Sequence, residues 1–213
     1  MIFRYYGHSF FTIELANGLT IATDPYGDFY QYPVRKIAAD VCFISHGHDD
    51  HCGKSCITGT PLFIEREGKS SFRGINIKAV PSFHDEVGGA KRGSNLFFVM
   101  EADGLRIGHA GDIGQVLTQS QLKEIGKLDI LMFPVGGYYT CSLNDTMTNL
   151  SLLKPRVTIP MHYRTNYNPE MPIAPLEVFL AAVRAQDTQM PLVRITAEDI
   201  SERPAYLTMS IVP

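Results

Sequence analysis

Three histidines and two aspartates fall within the six positions His46-Gly47-His48-Asp49-Asp50-His51, in a chain that has seven histidines in all. Imidazole and carboxylate are donors that zinc takes into its coordination shell. Crowding them into one loop is electrostatically wasteful unless a cation organises them. In an extended backbone, positions i and i+2 project to the same side. His46 and His48 can therefore reach one cation, while Asp50 and His51 lie past the turn and can face a neighbouring position. A merely solvated polar loop leaves the crowding unexplained.

A metal pair needs further ligands, and the remaining histidines supply them. His84 ends the run "IKAVPSF", His162 ends "VTIPM", and Asp112 lies in "GHAGD" just after "LRI". Taken singly, a histidine at a strand end is more often a surface or hydrogen-bonded group. Taken together, four separate strands deliver His or Asp at the same type of position. His8 stands before a strand in "YGHSFF" and reads as a pocket residue or a support for the ligands, with a structural hydrogen bond as the competing role. Asp24, ending "IATD", can orient the histidine loop through hydrogen bonds; an Asx turn before Pro25 is the plain alternative. His109 reads as a buried, neutral histidine. Cys52 and Cys56 raise the question of a thiolate site, but no second pair of that kind exists, and small reduced thiols are expected instead.

These residues need strands to carry them. "FFTIEL" and "LTIATDP" flank Ala16-Asn17-Gly18, a strong hairpin signal. "DVCFISH" is a short apolar run suited to a buried strand. "PLFIE", "INIKAVPSFH" and "NLFFVME" read as further strands, and "LRIGHAGD" follows across a second hairpin turn at Asp103-Gly104. The segment 118–127 reads as a helix capped by Thr118 or Ser120 and ending near Gly126. "LDILMFPV" and "RVTIP" read as buried strands with a helix over 144–153 between them. "APLEVFLAAVRA" is amphipathic, with Leu176, Phe179, Leu180 and Val183 on one face. "PLVRI" and "YLTMSIVP" read as late strands. Strands with helices in both halves indicate an α/β or α+β domain built in layers.

Composition excludes several classes. The chain has 213 residues, 45% of them hydrophobic, enough for a full core, and a formal net charge of -3. No basic run marks a nucleic-acid surface. No apolar stretch reaches membrane-spanning length, and the N-terminus lacks the pattern of a signal peptide. A cytoplasmic protein acting on a small molecule is expected, with no nucleic-acid or membrane partner; oligomeric state is not legible.

The order His46-x-His48-x-Asp50-His51, then His84, Asp112 and His162, resembles the five-motif signature of the metallo-β-lactamase superfamily. "GHSFFTIE", "TDPY", "PVGGYYT" and "KPRVTIPMHY" are similar to its small single-domain hydrolase branch, which includes ascorbate-6-phosphate lactonase-like proteins. N-acylphosphatidylethanolamine phospholipase D is a more distant relative. The resemblance runs almost end to end. It implies one domain over 1–213 and an α/β fold, the four-layer αβ/βα sandwich, with a two-metal site at one edge. It implies that His46, His48 and His84 hold the first ion, that Asp50, His51 and His162 hold the second, and that Asp112 bridges them. The donors suit zinc first, with manganese or iron as alternatives.

Two such cations make hydroxide available near neutral pH. Asp50 can hold that nucleophile and carry its proton. The expected reaction is hydrolysis of a small-molecule ester, lactone or phosphodiester. Tyr138, Tyr139, Tyr163 and Arg164 are candidate substrate contacts, with packing or solvent as their competing roles. "DTMTNLSLL" is more polar than its counterpart in the lactonase-like branch, which leaves the substrate open. Two other classes stay open: an iron-dependent redox or oxygen-handling protein, and a non-catalytic binding module on the same fold.

Overall fold

The computed structural model describes residues 1–33 and 35–212. Its strands are β1 (Ile2–Gly7), β2 (Phe10–Glu14), β3 (Thr20–Thr23), β4 (Ile37–Ala38), β5 (Val41–Phe43), β6 (Ile57–Thr58), β7 (Leu62–Ile64), β8 (Gly68–Phe72), β9 (Ile75–Phe83), β10 (Ser94–Ala102), β11 (Leu105–His109), β12 (Ile130–Pro134), β13 (Val157–Met161) and β14 (Val193–Arg194). The α-helices are α1 (Gln119–Ile125), α2 (Leu143–Leu153) and α3 (Leu176–Val183).

Two six-stranded sheets carry the molecule, in the orders β14-β1-β2-β3-β5-β7 and β13-β12-β11-β10-β9-β8. Each is antiparallel over most of its width and parallel at one end: β3, β5 and β7 in the first, β11, β12 and β13 in the second. The two sheets share one core, and Phe43 of β5 stacks on Phe98 of β10 with ring centroids 4.7 Å apart. In the first sheet, successive residues face opposite clusters, as the two-residue strand period requires. Ile21, Val41 and Phe43 enter the shared core, whereas Ala22, Cys42 and Ile44 meet Tyr26, Tyr32 and Ile57 on the far side. In the second sheet, parallel neighbours need crossover connections, and α1 and α2 provide them.

Both expected hairpins form. At the first, Gly18 adopts φ +84 and Asn17 Oδ1 accepts from Leu19 N. The α1 start is a capping box between Thr118 and Gln121, and Gly126 caps its end. The polar character of α2 has a local reason. Asn149 is fully buried; its Oδ1 accepts from Leu117 N and its Nδ2 donates to Gln115 O. It thereby ties down the chain just after Asp112, a task that an apolar side chain cannot perform.

Three expectations change. Helices are not shared between the halves: among the described residues every α-helix lies beyond residue 118, and the first sheet's outer face is covered by Tyr26, Phe29 and Tyr32 and by the small β4–β6 pair. Of "YLTMSIVP", residues 206–212 form isolated bridges at Tyr206, Met209 and Ile211 rather than a strand, and Pro213 lies outside the described residues. β1 and β8 are additional strands; β8, "GKSSF", is a largely exposed edge that apolar patterning does not reveal.

Candidate metal centre

Every one of the seven expected ligands follows a strand of the fold. The His46–His51 loop leaves β5, His84 follows β9, Asp112 lies just past β11, and His162 follows β13. The histidine loop folds back on itself as His51 N and Cys52 N both donate to His48 O. The donor atoms gather in three overlapping groups, each with its members within 4.8 Å of one another: His46, His48 and His84; His46, His51 and Asp112; and His8, Asp50, His51 and His162. Asp112 stands between the others. Its Oδ2 lies 3.0 Å from His162 Nε2 and 3.3 Å from both His51 Nε2 and His84 Nε2. No cysteine belongs to these groups among the described residues; Cys52 Sγ instead contacts Gly47 O.

The hydrogen-bond network assigns the tautomers of two imidazoles. Asp24 is fully buried and accepts from Ser45 N at 2.7 Å, Ser45 Oγ at 2.6 Å and His51 Nδ1 at 3.0 Å. Because His51 Nδ1 carries the proton given to Asp24, its Nε2 presents a lone pair. Because Ser45 Oγ spends its own proton on Asp24, it accepts from His46 Nδ1 at 2.9 Å, and His46 Nε2 also presents a lone pair. Both Nε2 atoms are buried without a hydrogen-bond partner, as is Asp112 Oδ1. Orphaned acceptors beside a carboxylate call for a cation between them. The residues present fit a divalent metal, and Asp24 is hydrogen-bonded to His51 directly and to His46 through Ser45.

The electrostatics agree. Burial and the neighbouring His51 push His46 down to about 3, so it is neutral and free to ligate. Burial likewise opposes charge on His51, yet Asp112 and Asp50 overcome it and raise its affinity for a proton well above the usual value. A metal ion takes the same place as that proton. Burial would raise Asp112, but His162 and His51 hold its carboxyl well below the ordinary range. Asp50 is depressed in the same way by His51 and His8.

His109 keeps to its expected place outside the cluster: Nε2 donates to Ser9 O and Nδ1 accepts from Gly111 N. His8 is fully buried and its Nε2 lies 3.1 Å from Asp50 Oδ2. Of the candidate substrate contacts, Tyr163 and Arg164 share one cleft, and Tyr138 is not among its lining residues. Tyr138 is 63% exposed at φ 58. Tyr163 is packed in the core near Tyr5. Arg164 is exposed on a cleft of about 460 Å³ whose lining includes none of the seven ligands. Tyr163 lines that cleft as well.

Other supporting residues lie outside the sequence reading. Asn95 is buried on β10; its Oδ1 accepts from Asp112 N, while its Nδ2 donates to Ala110 O and Ser82 Oγ. Beside it, Gly111 adopts φ +55, and a Cβ there would stand 2.3 Å from Asn95 Oδ1 and 2.6 Å from Ser45 Cβ. Asp85, directly after His84, accepts from the amides of Val87, Gly89, Lys91 and Arg92 and so fixes the loop that follows. An aspartate followed by Gly88-Gly89 signals such a turn in the sequence; Asn95 has no comparable local signal.

Histidine and aspartate donors gathered at the strand ends of two facing mixed sheets define a metallohydrolase of the β-lactamase type. The sequence model of the Beta-lactamase superfamily domain matches residues 3–162, and the chain belongs to the metallo-β-lactamase superfamily as a metal-dependent hydrolase. A metal-dependent hydrolase of Carboxydothermus hydrogenoformans is 30% identical over 195 residues, covering 78% of this chain and 85% of its own. A Thermotoga maritima structure assigned to the superfamily has a TM-score of 0.82 at 32% identity over 98% of each chain. Igni18, a metallo hydrolase from Ignicoccus hospitalis, shares the fold with a TM-score of 0.65 at 22% identity, over 92% of this chain and 99% of its own. Among the described residues no helix is long and apolar enough to cross a membrane.

Proposed function

We propose that the chain hydrolyses an ester, lactone or phosphodiester bond of a small molecule at a centre of two divalent ions, zinc in the first instance. His46, His48 and His84 hold one ion, Asp50, His51 and His162 hold the other, and Asp112 is shared. The observation that carries this reading is the position of Asp112 Oδ2, within 3.0–3.3 Å of imidazole nitrogens from both ligand groups. Bound divalent cations lower the pKa of water and neutralise charge that develops on the scissile oxygen.

The protein's own contribution is orientation and proton handling. Asp24 and Ser45 lock the tautomers of His51 and His46. Asn95 sets the Asp112 backbone. With the ions bound, Asp50 would be the carboxylate placed to accept a proton from a water at the centre and return it to the leaving group. Arg92 lies over the Tyr139 ring at 5.7 Å on the loop that follows His84 and forms no ion pair among the described residues. It offers a cation for an anionic portion of the substrate. The test is a panel of ester, lactone and phosphodiester substrates assayed with zinc-, manganese- and iron-loaded protein. Turnover of one class that is abolished by chelator supports the proposal; silence across the panel with a fully loaded centre counts against it.

A further inference from the structure

The β1–β2 pairing is irregular between Tyr5 and Gly7. Gly7 adopts φ +102 and His8 follows at φ 54, a left-handed conformation uncommon outside glycine. The bend turns His8 inward. Its carbonyl accepts from Tyr5 Oη at 3.0 Å and from His162 N at 2.7 Å. Its ring lies between Phe29, at 4.7 Å, and the His162 and His51 rings, at 4.1 and 5.1 Å. Its Nε2 meets Asp50 Oδ2 at 3.1 Å. One residue therefore grips two donors of the second group, Asp50 by its side chain and His162 by its backbone.

We infer that His8 is a positioning residue for the second ion, holding Asp50 and His162 in register through its ring N–H and its carbonyl. This rests on the two-ion reading above. Geometry separates positioning from ligation: His8 Nε2 is spent on Asp50, whereas the shared Asp112 carboxylate meets the imidazoles of His51, His84 and His162 and, among the described residues, not that of His8. Left-handed strain at such a residue persists only where its surroundings enforce it, and such residues cluster at functional sites.

The experiment compares His8→Asn and His8→Gln in the full chain, titrating zinc in competition with a chromophoric chelator. Asparagine tolerates the left-handed backbone but is too short to reach Asp50; glutamine keeps an N–H at about the Nε2 distance. The first ion should bind both variants as it binds wild type. The second should weaken about 10- to 100-fold in His8→Asn, the usual cost of losing a ligand's supporting partner, and recover in His8→Gln. In an Asp50→Asn background, His8→Asn should have no further effect on the second ion. Equal loss of the second ion in both variants makes His8 a ligand and overturns the inference, as does unchanged second-ion affinity in His8→Asn. If His8→Asn does not fold, His8→Gln decides alone: retained second-ion affinity supports positioning, and loss overturns it. A wild-type chain that saturates at one ion rejects the two-ion reading itself, and this inference with it.

Discussion

Replacing Asp24 by Asn keeps the shape and removes the charge, and the structure states what must then fail. Asp24 accepts three hydrogen bonds and donates none. An asparagine can place its oxygen toward Ser45 N or toward the Ser45 Oγ and His51 side. In the second case its NH2 faces the Ser45 N–H, a buried donor against a donor, at a cost of about 1–3 kcal/mol. For a chain of this length that corresponds to roughly 2–12 °C in Tm. In the first case the NH2 faces His51 Nδ1, which must give up its proton to Nε2. The Nε2 lone pair aimed at Asp112 is then lost, and metal affinity should fall about 10- to 100-fold. Asp24→Asn is therefore expected to lose apo stability, metal affinity or both. Thermal melts in chelator report the first loss, and a zinc titration of the same protein reports the second. A variant that matches wild type in both measurements would refute the claim that Asp24 sets the histidine tautomers.

Three further outcomes follow from the same geometry. Asp50→Asn should keep the first ion, weaken the second, and reduce turnover of a confirmed substrate by about 10²–10⁴-fold or more; near wild-type turnover would sink the role given to Asp50. His109→Ala should lower the melting temperature without changing metal stoichiometry, because its bonds go to Ser9 and Gly111; loss of metal from that variant would contradict its placement. Burial would raise the Asp85 carboxyl, but the amides of Arg92, Gly89, Lys91 and Val87 depress it from 3.8 to about 2. A depressed carboxyl gives its full support above its ordinary pKa, and that support fades as pH falls from 3.8 toward about 2. The amide NMR shifts of those four residues should titrate with a midpoint near the lower value; a midpoint at the ordinary one would show that the loop clip does not form.

The reach of the sequence differed between ligands and their supports for a physical reason. His46, His48, Asp50 and His51 were legible because their spacing is local, and His84, Asp112 and His162 because each follows an apolar run that reads as a strand. Asp24 was legible for the same reason. Asn95 was not: it sits in "SNLFF" like any polar residue at a strand start, and only the pairing of β10 with β9 and β11 brings it to Ser82 and Asp112. His8 was visible as a residue, but the left-handed bend that aims it at Asp50 is a tertiary outcome. The strand β8 escaped because an exposed edge needs no apolar face, and the apolar alternation of 206–212 resembles a strand although Leu207, Thr208 and Met209 are buried in succession with only isolated bridges.

The number of metal ions per chain tests the central claim most directly. Protein stripped by chelator, reloaded with excess zinc or manganese and freed of unbound metal should carry two equivalents by elemental analysis, with a higher melting temperature than the stripped form. A ceiling of one equivalent, or a melting temperature indifferent to both chelator and metal, would contradict it.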